Sequence, residues 1–101
     1  MSKMTVQKLK DLINRNEDIT IIDIRETYEF EDGAICELNI PLDQFITRIN
    51  EIPKEKPVLL YCKSGKRSQS LKYIIEKLHS FNNLHHLEGG FQKWQEEFAT
   101  K

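Results

Sequence analysis

Pro57-Val58-Leu59-Leu60-Tyr61-Cys62-Lys63-Ser64-Gly65-Lys66-Arg67-Ser68 decides how this chain is read. It starts as a short unbroken apolar run, the form taken by a parallel strand that is buried on both faces. The run stops at a cysteine, and a small basic loop with one glycine follows. Beyond the loop, Leu71, Ile74, Ile75 and Leu78 recur at i, i+3, i+4 and i+7, the buried stripe of a helix. Ser68 or Ser70 would cap it. Strand, cysteine, loop, helix has a chemical consequence. The first turn of a helix aims unpaired backbone N–H groups and the positive end of its dipole back at the loop. A thiol held there, with Lys63, Lys66 and Arg67 close in sequence, is favoured in its anionic form. Cys62 is therefore read as a thiolate nucleophile in an anion-binding cradle.

Upstream, Ile19-Thr20-Ile21-Ile22-Asp23-Ile24 is β-branched and nearly all apolar, a central strand. Asp23 and Arg25 stand at its carboxyl end, the edge where open α/β sheets place their ligand sites. They are either catalytic groups or, the favoured reading, an ion pair that fixes the loop. Residues 5–16 read as a first helix capped by Thr5, with Val6, Leu9, Leu12 and Ile13 on one face and Asn16 leaving in a left-handed conformation. A short helix over 26–31 ends at Asp32-Gly33. Leu38-Asn39-Ile40 is a short strand, and Leu42, Phe45, Ile46 and Ile49 form the apolar face of a helix over 42–50.

Downstream, Leu84-His85-His86-Leu87 is a brief last strand and Glu88-Gly89-Gly90 its exit loop. Phe91, Trp94 and Phe98 then form the core-facing side of a final helix. Strands alternating with helices over short connections predict an α/β fold, a small, mainly parallel sheet of about five strands flanked by helices on both sides. Such a sheet carries Gly89 and Gly90 to the same edge as Cys62.

A chain of 101 residues is the size of one domain, taken here as 1–101. Fifteen basic residues against sixteen acidic ones give a net charge of −1. That balance gives no electrostatic case for nucleic-acid or membrane binding. Neither a signal-peptide core nor an apolar run long enough for a membrane span stands in the sequence, so a cytoplasmic protein is expected. Cys36 and Cys62 form no C-x-x-C pair and are too few for a disulfide framework. Cys36 has Glu37 beside it and no basic cluster, which marks it as structural.

Several chemistries drop out on spacing. A P-loop needs a glycine where Leu60 stands and Ser or Thr where Arg67 stands. His85 and His86 are adjacent on a strand and point to opposite faces, so zinc is not expected. A papain-like Cys–His pair is not excluded by spacing, since the fold can bring His79, His85 or His86 toward Cys62, but it is disfavoured because nothing supplies an orienting third residue. What remains is a thiolate opening a tight loop whose amides turn inward as an anion nest. One chemistry of that kind attacks phosphorus and another attacks a sulfane sulfur. Tyrosine phosphatases carry one more residue between Cys and Arg than the 63–66 that stand here. The shorter ring suits a single terminal sulfur better than a phosphate.

At these residues the chain resembles the single-domain rhodanese sulfurtransferases. Ile21-Ile22-Asp23-Ile24-Arg25-Glu26 is similar to the family's strand ending in Asp-x-Arg. Tyr28-Glu29-Phe30 with Gly33, then Asn39-Ile40-Pro41-Leu42, resembles its next block. Tyr61 to Ser68 resembles the active loop Cys-x-x-Gly-x-Arg-Ser, and Leu87-Glu88-Gly89-Gly90-Phe91 with Trp94 resembles the closing signature. Four blocks in the right order cover roughly residues 6–98.

The resemblance implies a three-layer rhodanese-like fold. It implies that Cys62 takes sulfane sulfur as a persulfide and that the loop Lys63, Ser64, Gly65, Lys66 and Arg67 holds it, with Asp23, Arg25 and Ser68 in support. No metal or cofactor is called for. The implied donor is a small anion (thiosulfate, polysulfide or a low-molecular-weight persulfide), and the acceptor a thiol or cyanide. A thioredoxin-like or other sulfur-carrier protein is a further expected partner, and the chain is expected to be a monomer or weak dimer. A non-catalytic binding module and a small phosphatase or arsenate reductase are the alternatives. The chain departs from the family at Gly33-Ala34-Ile35-Cys36-Glu37-Leu38, which lacks the family's His-Ile-Pro pattern and is one residue shorter. That puts Cys36 in question as a second thiol that receives sulfur or pairs with Cys62. Ser80 stands where a glycine is common before Phe81.

Overall fold

A computed structural model describes residues 3–98. Five parallel strands form one sheet: β1 (Lys3–Met4), β2 (Thr20–Asp23), β3 (Leu38–Asn39), β4 (Val58–Tyr61) and β5 (Leu84–Leu87), in the order β1-β5-β4-β2-β3. The helices are α1 (Val6–Asn14), α2 (Thr27–Glu31), α3 (Leu42–Phe45), α4 (Lys66–His79) and α5 (Gly90–Phe98). β4 is the central strand and is buried at every position. This is the predicted α/β architecture.

Alternation along the strands divides the core into two layers. Ile22, Ile24, Val58, Leu60 and Leu84 face α4, where Leu71 and Ile75 meet them. Leu59, Tyr61 and Leu87 face the other way, toward Val6 and Leu9 of α1 and the half-buried Phe91, Trp94 and Phe98 of α5. Burying a side chain such as Leu60 or Ile75 contributes roughly 1.5–3 kcal/mol, so these layers supply the main driving force.

Helix ends follow their capping chemistry. Thr5 Oγ1 accepts from Lys8 N at 3.0 Å, closing the start of α1. Asn16 leaves that helix with φ 55°, as its residue type predicts. Glu26 and Glu29 form a capping box on α2.

The structure corrects three expectations. The edge strand β1 has no counterpart in the sequence reading, because two residues carry no periodicity. The helix expected over 42–50 is α3 alone, followed by a 3₁₀ turn at Ile49–Glu51. Thr47 Oγ1 takes the Gln44 carbonyl and Arg48 N is shared between the carbonyls of Gln44 and Phe45, so the ladder tightens and ends. Of the apolar face assigned there, Phe45 is fully buried, while Leu42 and Ile46 are exposed. The α4 stripe is likewise half used. Leu71 and Ile75 are buried, but Ile74 and Leu78 are 43% and 72% exposed, because α4 leans on β4 and β5 through one narrow line.

Candidate active site

β4 delivers Cys62 to the carboxyl edge of the sheet, where the thiol is fully buried on the α4 side. Two backbone amides point at its sulfur. Gly65 N donates to Sγ at 3.1 Å and Ser68 N at 3.4 Å. The second is a correction to the loop as read. α4 begins at Lys66 with Gly65 as its cap, so Ser68 lies inside the first turn and neither it nor Ser70 is the cap. Gly65 has no side chain to cap with. The sulfur takes that place, accepting one of the orphan N–H groups of the helix. Both donors and the positive end of the helix dipole are directed at the sulfur.

Ser68, also fully buried, closes the arrangement. Its hydroxyl donates to Gly65 O at 3.2 Å and lies 3.6 Å from Cys62 Sγ. Gly65 adopts φ 99°, a left-handed conformation that only glycine takes without strain, and this aims its N–H at the sulfur. Lys63, Ser64 and Lys66 are exposed around the loop, and Arg67 is half-buried. Arg67 Nη2 lies 3.7 Å from Glu29 Oε1, which ties the loop to α2.

The exit of β5 clamps the loop from the other side. Phe91 N donates to Cys62 O at 2.8 Å and Gln92 N to Lys63 O at 2.9 Å. Gly90 makes this approach possible. A Cβ on it would sit 2.6 Å from both carbonyl oxygens, and its φ is +61°. The sheet thus brings the Gly-Gly loop onto the cysteine loop, as the topology predicted.

Asp23 and Arg25 sit behind the loop rather than at the sulfur. Asp23 is fully buried and accepts from Arg25 N at 2.9 Å, Arg25 Nε at 3.0 Å and Arg25 Nη2 at 2.7 Å. The guanidinium also donates to Gly33 O at 2.6 Å and lies over the Phe91 ring at 4.3 Å. Burial opposes its charge, but the hydrogen bonds and charge of Asp23 outweigh that and raise the Arg25 pKa. The ion-pair reading of the sequence describes these contacts; neither residue touches the sulfur through any of them.

Tyr61, the residue before the cysteine, was not singled out by the sequence. It faces away from Cys62, donates to Asp23 Oδ2 at 2.8 Å and accepts from Ile35 N at 2.9 Å. Burial above all pushes its phenol well above the ordinary value, so the hydroxyl stays a donor. Period-two alternation places Tyr61 opposite Cys62, but nothing local names Asp23 as its partner.

Cys36 packs against the core layer of Tyr61, whereas Cys62 belongs to the layer of α4. The two thiols lie on opposite faces of the sheet. Cys36 Sγ bonds Leu38 O at 3.3 Å, and burial raises its pKa. The second-thiol reading therefore has no geometric support. Among the described residues no helix is long and apolar enough to cross a membrane.

A family model for the rhodanese-like domain matches residues 5–97. The chain is 42% identical over 82 residues to the uncharacterized protein YqhL of Bacillus subtilis, an alignment covering 80% of this chain and 64% of that relative. It therefore spans less than two thirds of that relative's length. It is 30% identical over 96 residues to a sulfurtransferase of Allochromatium vinosum, covering 93% of this chain and 88% of the other. The crystal structure of a rhodanese-related protein from Thermoplasma volcanium superposes with a TM-score of 0.85 at 26% identity, over 99% of this chain and 96% of that one.

Proposed function

The chain belongs to the rhodanese-like domain family, and on that premise we propose that it is a sulfurtransferase carrying sulfane sulfur as a persulfide on Cys62. The observation that carries this reading is the pair of amides, Gly65 N and Ser68 N, directed at one sulfur at the start of α4. Relatives named as sulfurtransferases support the same class.

The cycle has two displacements. Cys62 thiolate attacks the outer sulfur of an anionic donor such as thiosulfate, polysulfide or a low-molecular-weight persulfide. A new S–S bond forms, and the donor's remainder leaves with the electron pair, sulfite in the case of thiosulfate. An acceptor thiolate or cyanide then attacks the outer persulfide sulfur, and the electron pair returns to Sγ. The cycle starts and ends on a thiolate, so no general base is needed. The two amides and the dipole of α4 stabilise anionic sulfur throughout. Cys62 is fully buried in this form, so a donor reaches its sulfur only when the groups around it move. Lys63 and Lys66 at the rim draw an anionic donor, and Arg67 steadies the loop through Glu29.

Mass spectrometry after incubation with thiosulfate tests the proposal. The peptide containing Cys62 should gain the mass of one sulfur atom and lose it on addition of cyanide or a thiol, and Cys62→Ser should not gain it. Absence of the adduct with thiosulfate, polysulfide and glutathione persulfide alike would sink the reading.

A further inference from the structure

The net charge of −1 conceals a division along the chain. Residues 17–55, which carry β2, α2, β3 and α3, hold eleven acidic side chains against three basic ones. Residues 56–87, which carry β4, α4 and β5, hold six basic side chains against one acidic. In the sheet β2 and β3 lie together on one side of β4, and β5 lies on the other, so the division is also spatial.

The basic half shows an unpartnered helix face. Lys66, Ser70, Tyr73 and Lys77 form an exposed stripe along α4, with the exposed Ile74 and Leu78 beside it. Its one acid, Glu76, is spent on Lys72 at 2.7 Å. A groove of about 600 Å³ lies against Tyr73, Ile74 and His86. The acidic half carries the complement. Tyr28, Glu31 and Asp32 stand at i, i+3 and i+4 on α2, all exposed, and Tyr28 is 72% exposed. Neither Glu31 nor Lys66 forms an ion pair among the described residues.

We propose that these two faces dock on one another between copies of this chain. The α2 face of one molecule seats on the α4 face of the next, with Tyr28 in the groove beside Tyr73. Glu31 and Asp32 then lie among the lysines of the stripe. The occupant is a second copy because the chain itself supplies the complementary surface, acid and aromatic on α2, lysine and apolar on α4. Pairing α4 with α4 would set lysine against lysine, and α2 with α2 acid against acid. The contact is therefore heterologous, and each pair keeps one free face of each kind. Exposed ion pairs contribute little singly and are screened by salt, so the association is weak and salt-sensitive.

Analytical ultracentrifugation of the full chain under reductant tests this. At about 0.01 M ionic strength, where charges act over about 30 Å, the average mass of the wild type should rise with concentration. At about 1 M salt, where that reach falls to about 3 Å, it should return to the monomer value. Tyr28→Ser/Glu31→Gln/Asp32→Asn removes the acidic face, and Lys66→Gln/Lys77→Gln/Leu78→Ser removes the basic one. All six positions are exposed, so neither set disturbs the core. Each variant alone should stay monomeric at low salt. Their equimolar mixture should form a one-to-one dimer that grows no further, because each variant keeps the face the other lacks. A wild type that stays monomeric at low salt overturns the proposal and gives the α4 face to a partner other than this chain. Self-association of either variant, or a mixture that does not pair, overturns the head-to-tail contact as well.

Discussion

Tyr61 Oη donates to Asp23 Oδ2 at 2.8 Å, and the two residues are register partners on the neighbouring strands β4 and β2. This bond joins the strand that carries the candidate nucleophile to the ion pair that fixes the loop after β2. The same hydroxyl accepts from Ile35 N, so it also ties down the shortened 33–38 segment. Tyr61→Phe removes both bonds and leaves a buried carboxylate lone pair and an amide without partners, at a cost of about 1–3 kcal/mol. Asp23→Asn is the harsher change, about 3–5 kcal/mol, because it strips the buried Arg25 of its counter-charge. Urea unfolding of the two variants should rank them in that order, and the reverse order would refute the assignment of Asp23 as the hub.

Gly90 is the position where the site tolerates least. The atoms that a Cβ would meet at 2.6–2.7 Å are backbone carbonyls of Cys62 and Lys63, which cannot swing away as a flexible side chain can. Gly90→Ala should therefore cost stability on the overpacking scale, roughly 1–3 kcal/mol, with about 1–2 kcal/mol more for the left-handed backbone. It should also slow persulfide loading, because the clamp on the loop is displaced. At Gly33 the nearest atom to an added Cβ is the Phe91 ring edge at 3.7 Å, which leaves backbone strain as the sole penalty. Thermal melts and loading rates of the two alanine variants separate these cases.

His86 makes stability depend on pH. The imidazole is buried beneath α4, its Nδ1 has no hydrogen-bond partner, and its pKa is lowered by burial first and then by Lys72 and Lys3, with Glu88 opposing. Below about pH 6.5 the unfolded chain binds a proton that the folded chain resists, so stability is complete above that pH and declines as pH falls. His86→Leu should flatten the dependence of the urea midpoint between about pH 7 and pH 5. An equally steep dependence in the variant would assign the effect elsewhere.

Cys36→Ser should load and discharge sulfur at the parental rate and resist oxidation as the parent does. The thiol it removes lies across the sheet from Cys62, and burial holds it protonated. An intramolecular disulfide found by non-reducing peptide mapping of the parent would contradict the placement of the two faces.

Ser80 ends α4 in the left-handed region, φ 58°. Ser80→Gly should raise stability by roughly 0.5–1 kcal/mol, because glycine takes that conformation without a Cβ penalty. Calorimetry would register this as an upward shift in Tm.

Much of the site was legible because the relevant signals are local. The buried run 58–61, the cysteine and the helical stripe after it place a thiol at a helix N-terminus without any long-range knowledge. Asp23 and Arg25 are two residues apart, and their bidentate contact follows from that spacing. Helix lengths and faces were less legible. Ile74 and Leu78 satisfy the helical period and still face solvent, since periodicity records which side chains share a stripe and not how wide the neighbouring surface is.

The sequence by itself determined the succession of helices and of the four strands after β1, the edge at which Cys62 emerges, and the arrival of Gly89-Gly90 at that edge. These follow from chain periodicity and from the short connections that force parallel pairing. Tertiary structure alone decided that the sulfur caps α4 through Ser68 N, that Tyr61 anchors Asp23, and that Cys36 lies on the far face. Each of those is a contact between groups whose separation is set by strand register and the approach of a neighbouring element. Hydrogen bonds require heavy atoms within about 3 Å, a tolerance that residue type and period do not reach.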